Sequence, residues 1–392
     1  VNGVNDSSGF DLDLRTRVVC SIGGVARLGE LAAGIFDDAR EKRVLLVTDP
    51  GVAAVGHARS GEEALIEAGF RVQRFEDVRE NPTTSDVDAC LALAKDFEPQ
   101  LLVGLGGGSS MDVAKGTNFL YSCGGRMRDY RGVGKAGREM LPLIAVPTTA
   151  GTGSEAQSFA LIADEETHEK MACGDPQAAP RIALLDPQLT LTLPPIVTAC
   201  TGLDAIAHAV ETAVTRTRNA VSSMFSREAF RFLSRAFPRV VKSPDDLEAR
   251  ADMLRGAALG GFAIENSMLG AAHSMANPLT RHFGLPHGQA VGTVLPHVVA
   301  FNRKDPTSSR IYSELATFVG GAGPRALIEA LHGFVVQAGF PLTLRECGVD
   351  ARATDLMAAE AAQQWTAQHN PRRVEGGEFT ALFAAACDGG SI

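Results

Sequence analysis

The chain has 392 residues, 45% of them hydrophobic and 21% charged, with a formal net charge of −9. That length allows two or three domains with substantial cores, and that composition excludes a disordered chain. The acidic balance, with a pI near 5.5, argues against a nucleic-acid partner, and no run approaches the ~18 continuous apolar residues of a membrane helix. Seven scattered cysteines with no C-x-x-C pair read as reduced thiols rather than a disulfide framework or zinc knuckle. The start, VNGVNDSSGFDLD, is polar and acidic without the apolar stretch of a signal peptide, so a cytoplasmic protein is expected.

In chain order, Arg43 to Thr48 is a β-branched apolar run ended by Asp49-Pro50-Gly51. A helix follows over roughly Ser60 to Ala68, with Gly69 as its C-cap. Phe70 to Phe75 reads as a second strand, and Ser85-Asp86 caps a helix to about Phe97, with Val87, Cys90, Leu91 and Ala94 at helical spacing. Leu101 to Leu105 is a third buried strand; Gly106-Gly107-Gly108 follows, and Ser109 or Ser110 opens a helix to Leu120. Leu141 to Val146 is a fourth strand, and Gly132 to Gly134 lies in a looser connection. Strands alternating with helices of this length indicate a parallel sheet covered on both faces.

Near Leu189 the pattern changes. Leu193-Pro194-Pro195 reads as a stiff connector, and beyond it Thr198 to Val214, Ser222 to Ala236, Asp246 to Ala263, Asn266 to Leu279, Arg325 to Ala338 and Met357 to Ala362 read as helices. The expected fold class is an α/β half with a parallel sheet over residues 1–193 and an all-α half over 194–392.

Four stretches could carry chemistry. Gly106 to Lys115, GGGSSMDVAK, joins a strand to a helix start; glycines let backbone approach a bulky anion, and free N–H groups with a favourable dipole suit a pyrophosphate. It matches neither G-x-G-x-x-G nor the P-loop, and the alternative is a tight turn that binds nothing. Asp49, at a strand end, could accept from ribose hydroxyls and repel a 2′-phosphate, favouring NAD over NADP; the alternative is a helix cap. Pro147 to Glu155, PTTAGTGSE, follows a buried strand with hydroxyls that could bind phosphates or a nicotinamide amide, or be a solvated loop.

The histidines carry most. Five of the nine lie between His208 and His297. Asp204 and His208 are four apart on one apolar helix and share a face. His273 lies in a second apolar helix, and His287 follows Leu285-Pro286. A carboxylate buried beside histidines is costly without a cation, and one carboxylate with three imidazoles suits Fe2+ or Zn2+. The alternative is that each histidine is an ordinary core or capping residue. His282, His297, His57, His168, His332 and His369 fit that plainer description. Lys170 could reach a phosphate or simply belong to a solvated charge run, Asn81 reads as a loop residue at a helix start, and Arg372 as a salt-bridge partner.

Taken together, GGGSSMDVAK, PTTAGTGSE, GLDAIAHAVE (Gly202 to Glu211) and the paired segment from Ala271 to Asn302 resemble the iron-containing (group III) alcohol dehydrogenases over nearly the whole chain. The resemblance implies a dinucleotide-binding α/β domain, a helical metal-binding domain, and a site in the cleft between them. It implies Asp204, His208, His273 and His287 as metal ligands, with Fe2+ expected and Zn2+ the alternative. It implies Gly107, Gly108 and Ser109 as the pyrophosphate loop and Asp49 as the ribose acid. Asn81, Thr148, Thr149, Thr152 and Lys170 match further cofactor contacts. Many members carry a second histidine four residues after the third ligand. Here that position is Asn277, which can make a polar contact but cannot titrate near neutral pH; a water or the cofactor ribose could take over any proton relay.

The implied activity is metal-assisted, reversible hydride transfer between NAD(H) and a small alcohol and its aldehyde or ketone, by a homodimer or larger homo-oligomer. Two other readings stand beside it: an NAD- and metal-dependent cyclase or lyase of the dehydroquinate synthase type, and a non-catalytic metal-binding assembly protein.

Overall fold

In the computed structural model, which describes residues 13–38, 41–167 and 169–390, the aliphatic runs of the first half pair into one parallel sheet. It contains β1 (Arg17–Cys20), β2 (Arg43–Val47), β3 (Arg71–Phe75), β4 (Leu101–Gly106), β6 (Leu143–Pro147) and β9 (Ile182–Leu185), in the order β1-β9-β6-β4-β2-β3. The four inner strands are buried almost end to end. This is why they read as continuous apolar runs: a parallel strand covered on both faces has no solvent side on which to place polar residues. Helices α1 (Leu28–Ala33), α2 (Pro50–Ala54), α3 (His57–Glu67), α4 (Thr84–Phe97) and α5 (Gly108–Cys123) lie between the strands in sequence. His168 falls outside the described residues.

A second, three-stranded sheet is made of β5 (Gly132–Val133), β7 (Phe159–Ala163) and β8 (Lys170–Gly174), with β7 and β8 antiparallel. The sequence pattern does not announce β1, β5, β7, β8 or β9. β1 is an edge strand with a mostly exposed face, and its partner β9 lies some 165 positions away in sequence, as in the pairing of Arg17 with Ile182. Neither signal is local.

The sheet order positions the site. The chain leaves β2, returns beside it as β3 on one flank, then crosses to β4 on the other flank. The order of winding therefore reverses between β2 and β4. In open α/β sheets, ligands settle beyond the carboxyl ends of the strands at such a reversal. Here those ends are Thr48-Asp49 and Gly106-Gly107-Gly108.

The first compact unit ends at Leu193. From Pro194 onward the second unit is helical: α6 (Pro195–Thr212), α7 (Ala220–Lys242), α8 (Leu247–Glu265), α9 (Ala271–Phe283), α10 (His287–Asn302), α11 (Pro306–Ala316), α12 (Gly323–Gln337), α13 (Thr354–Gln363) and α14 (Gly376–Asp388). Pro194 and Pro195 are the N-cap and first residue of α6, where a missing N–H costs nothing. The helix expected from Asn266 begins instead at Ala271. Asn266 is the C-cap of α8, and Met268 has a φ of 151°, so the chain turns before it can wind again.

Glycines set the spacing of α10 against α6. A Cβ on Gly288 would lie 1.9 Å from the Cys200 carbonyl oxygen, and one on Gly292 would lie 2.9 Å from Leu203 Cδ1. These two glycines, one turn apart, form a seam that lets two backbones touch. The seam adjoins His287 on α10 and Asp204 on α6.

Candidate active site

Helix α6 presents Asp204, His208 and Glu211 at intervals of four and three residues, one stripe of a helix. All three are buried. His273 enters from the first turn of α9 and His287 from the first residue of α10. The Nε2 atoms of His273, His208 and His287 lie 3.2, 3.4 and 3.8 Å from a single oxygen, Asp204 Oδ1. The His208 and His273 rings stack at 4.9 Å. Asp204, His208 and His273 each offer a ligand atom within 4.8 Å of the others. His287 stands at the margin of this trio, its side chain one-third exposed.

Behind His273 lies Glu211, which the motif reading passed over. Its Oε2 is 2.5 Å from His273 Nδ1, and its Oε1 accepts from the Ala272 backbone N–H at 2.7 Å. The signal was present in the sequence: Glu211 sits seven residues beyond Asp204, on the same face. A second buried group supports the same turn. Asn370 Oδ1 accepts from Ala271 N–H at 3.4 Å, and Asn370 and Asn302 exchange side-chain hydrogen bonds at 2.8 and 3.0 Å. Arg372 donates to the Phe301 carbonyl and lies over the Phe301 ring; among the described residues it has no carboxylate partner, so the expected salt bridge is replaced by these contacts.

Electrostatics bind the cluster together. Burial disfavours the Asp204 charge, but the facing histidines outweigh it and hold the carboxyl well below its usual range. Burial likewise disfavours a second proton on His273. The Glu211 and Asp204 carboxylates more than offset that and push it up to about 9. A neutral His273 that donates Nδ1–H to the Glu211 carboxylate turns its Nε2 lone pair toward Asp204 Oδ1. Two lone pairs at 3.2 Å repel unless a proton or a metal cation lies between them. A carboxylate oxygen ringed by imidazole nitrogens is a donor set that fits Fe2+ or Zn2+.

Asn277 lies one turn beyond His273 on α9, half-buried, and donates Nδ2–H to Gln364 Oε1 at 2.9 Å. His282 pairs with Glu360 at 2.8 Å on the surface, and His297 meets His332 edge-on; both are outside the cluster.

In the α/β unit the glycine turn and the threonine loop face each other. Gly106 has a φ of 159°, and Gly107 caps α5 without any side-chain acceptor, so the first N–H groups of this helix stay open to an anion. A Cβ on Gly108 would sit 2.8 Å from Thr152, and one on Gly107 3.5 Å from Thr149. Thr148 donates its N–H to the Gly106 carbonyl. Asp49 is both a cap and a neighbour of the turn: it accepts from Val52 N–H at 3.0 Å and from Ser110 Oγ at 3.2 Å. Asn81 is exposed, with a φ of 53°, in the connection before α4. Lys170 is exposed at the start of β8.

The two loops are stapled by a buried lysine that the motif reading left without a role. Lys115 Nζ donates to the carbonyls of Ser154, Gln157 and Phe159 at 2.6, 2.8 and 3.0 Å, and reaches Ser154 Oγ at 2.8 Å. Ser154 Oγ in turn donates to Asp112 Oδ1 at 2.9 Å. Burial pushes the neighbouring Glu155 carboxyl up to about 7.

Comparison with known proteins agrees with this construction. Residues 15–187 match the family model described as iron-containing alcohol dehydrogenase, and residues 198–387 match that of the Fe-containing alcohol dehydrogenase family, C-terminal. The chain is 34% identical over 347 residues to alcohol dehydrogenase 4 of Schizosaccharomyces pombe, covering 88% of this chain and 82% of that protein. It is 33% identical to the NAD-dependent methanol dehydrogenase of Bacillus methanolicus, covering 84% and 88%. Among solved structures, an alcohol dehydrogenase from Oenococcus oeni superposes with a TM-score of 0.91 at 28% identity, over 96% of this chain and all of that one. With both halves matched and the Asp-His-His cluster assembled on α6 and α9, this chain is an oxidoreductase of the iron-containing alcohol dehydrogenase family.

Proposed function

We propose that the protein is a metal- and NAD(H)-dependent alcohol dehydrogenase, acting reversibly on a small alcohol and its aldehyde or ketone. The observation that carries this reading is the convergence of three imidazole Nε2 atoms on Asp204 Oδ1 in a family member whose relatives include an NAD-dependent enzyme. Asp204, His208, His273 and His287 would hold Fe2+, with Zn2+ the alternative for the same donors. When bound, such a cation supplies a Lewis acid at the substrate oxygen, and nicotinamide supplies or accepts the hydride.

The protein's own contributions can be assigned. The Asp204 carboxylate and neutral imidazoles form a compact donor set in a buried place where charge interactions are strong. Gly107, Gly108 and Ser109 offer open N–H groups to a pyrophosphate, with Thr148, Thr149 and Thr152 lining the facing loop. Asp49 accepts from ribose hydroxyls, favouring NAD over NADP. Asn81 and Lys170 provide outer contacts to the dinucleotide. Asn277, its amide oriented by Gln364, offers the substrate a polar contact that does not titrate. A homodimer or larger assembly in the cytoplasm belongs to the same reading.

The test begins with metal analysis of the purified protein and an NADH-oxidation screen across aldehydes, ketones and oxo-acids. His273→Ala is expected to lose metal and turnover while still binding NADH. Full turnover by a metal-free protein refutes the proposal; a reaction without net NADH consumption points to cyclase-type chemistry instead.

A further inference from the structure

We propose that Glu211 is a positioning residue of the metal centre: its two carboxylate oxygens hold His273 as the ring protonated on Nδ1, leaving Nε2 as the atom that faces the cation. The inference rests on the metal-binding reading above and adds a residue to it.

The geometry is specific. Both oxygens of Glu211 are engaged, and both engagements are with donors on or beside His273. Oε2 faces His273 Nδ1 at 2.5 Å, and Oε1 accepts from Ala272 N–H at 2.7 Å. The carboxylate is buried, with its side chain 4% exposed, so water does not compete for either oxygen. A Cβ on Gly270 would come within 3.1 Å of Oε1, a tight contact, so the bare backbone at that position leaves room for the carboxylate beside the first turn of α9. The outcome is a ring whose orientation and tautomer are both set from behind. Metal-ligating histidines depend on such a partner on the far nitrogen.

Glutamine is nearly the same shape but cannot do this. It has one acceptor oxygen and one NH2 group, whereas the site needs two acceptors. If the glutamine oxygen stays on Ala272 N–H, its NH2 group faces Nδ1, and the ring must carry its proton on Nε2, where the cation should bind. If the oxygen turns to Nδ1–H, the NH2 group meets Ala272 N–H, donor against donor. Either arrangement weakens metal binding, and neither changes the volume of the side chain.

The experiment measures Zn2+ affinity of the full-length protein, stripped of metal, by competition with a chromophoric chelator. Glu211→Gln is expected to bind Zn2+ about 10–100-fold more weakly than the parent while keeping its far-UV circular dichroism. Equal affinity overturns the inference, because a purely packing role predicts that an isosteric replacement is tolerated. A second readout does not depend on the variant: 15N NMR of histidine-labelled, Zn2+-loaded parent protein is expected to show His273 protonated on Nδ1. Protonation on Nε2 overturns the inference. If the parent itself takes up no Zn2+, or takes it up equally after Asp204→Asn, the metal-centre reading falls and this one with it. Normal Zn2+ uptake by the parent with an unaffected Glu211→Gln removes only the role of Glu211.

Discussion

The seam between α6 and α10 makes one substitution informative well beyond its size. In Gly288→Ala a methyl group would sit 1.9 Å from the Cys200 carbonyl oxygen. Ordinary contact starts near 3.4 Å, so the two helices must separate locally by about 1.5 Å, and the obstruction is backbone rather than a side chain that could rotate away. Overpacking of this kind costs about 1–3 kcal/mol, from which alanine recovers about 0.5–1 kcal/mol of helix propensity. The net loss is centred on about 1 kcal/mol, or a fall in Tm of about 2–4 °C for a unit of this size. The displacement also matters chemically. His287 is the adjacent residue, and its Nε2 already stands 3.8 Å from Asp204 Oδ1. Moving α10 outward carries this nitrogen away from the other three donors, so Zn2+ affinity is expected to fall along with stability. Gly333→Ala in α12 is the control. A methyl group at that position would meet nothing within 4 Å, so the same chemical change should be neutral or stabilising there. Thermal unfolding and chelator competition on both variants provide the measurements. A Gly288→Ala protein as stable as the parent, with undiminished metal affinity, would refute the argument that this glycine sets the helix spacing.

Two further outcomes follow from buried groups. Lys115→Met removes the staple between α5 and the threonine loop and strands the carbonyls it satisfied; at about 1–3 kcal/mol for each unsatisfied buried group, chemical denaturation should show a loss of at least about 3 kcal/mol, and an unchanged midpoint would contradict the role assigned to the lysine. His297 is buried, which together with the nearby His332 holds its pKa down at about 4. The unfolded chain takes up that proton near 6.5, so the native state loses stability as pH falls from about 6.5 to 4, by at most about 3 kcal/mol. His297→Leu should flatten the acid limb of the stability curve, and an identical limb in parent and variant would argue against it.

The parts of this molecule that were legible in the sequence are those whose cause is local. The inner strands declare themselves because burial on both faces makes them uniformly apolar. The glycine turn declares itself because a φ of 159° at Gly106 and a close approach at Gly108 tolerate little else. Asp204 and His208 are four residues apart on one helix, so their shared face can be counted. Pairings between distant segments left no comparable trace. β1 is an exposed edge whose partner is β9, and the β7–β8 pair lies outside the main sheet. Glu211 was countable on the α6 stripe, but its task depends on where α9 starts, and that start follows from the turn at Met268. Asn370 has no signal of its own, because an amide between a proline and an ordinary loop becomes meaningful only when Asn302 and the Ala271 N–H are brought to it.

That last pairing has a bearing on how the protein comes into being at the ribosome. Asp204, His208 and Glu211 emerge early in the second unit, and His273 some sixty residues after Glu211. The first turn of α9, however, also donates its Ala271 N–H to Asn370 Oδ1, and its Ser274 hydroxyl meets that of Thr366 at 2.7 Å. The turn that carries His273 is thus held from two sides, by Glu211 behind it and by the segment from Thr366 to Asn370, made roughly a hundred residues later, across it. Ion loading is therefore expected to strengthen once residues 366–370 have folded against α9, and a chain cut short before Thr366 should release its cation more readily than one that carries this segment.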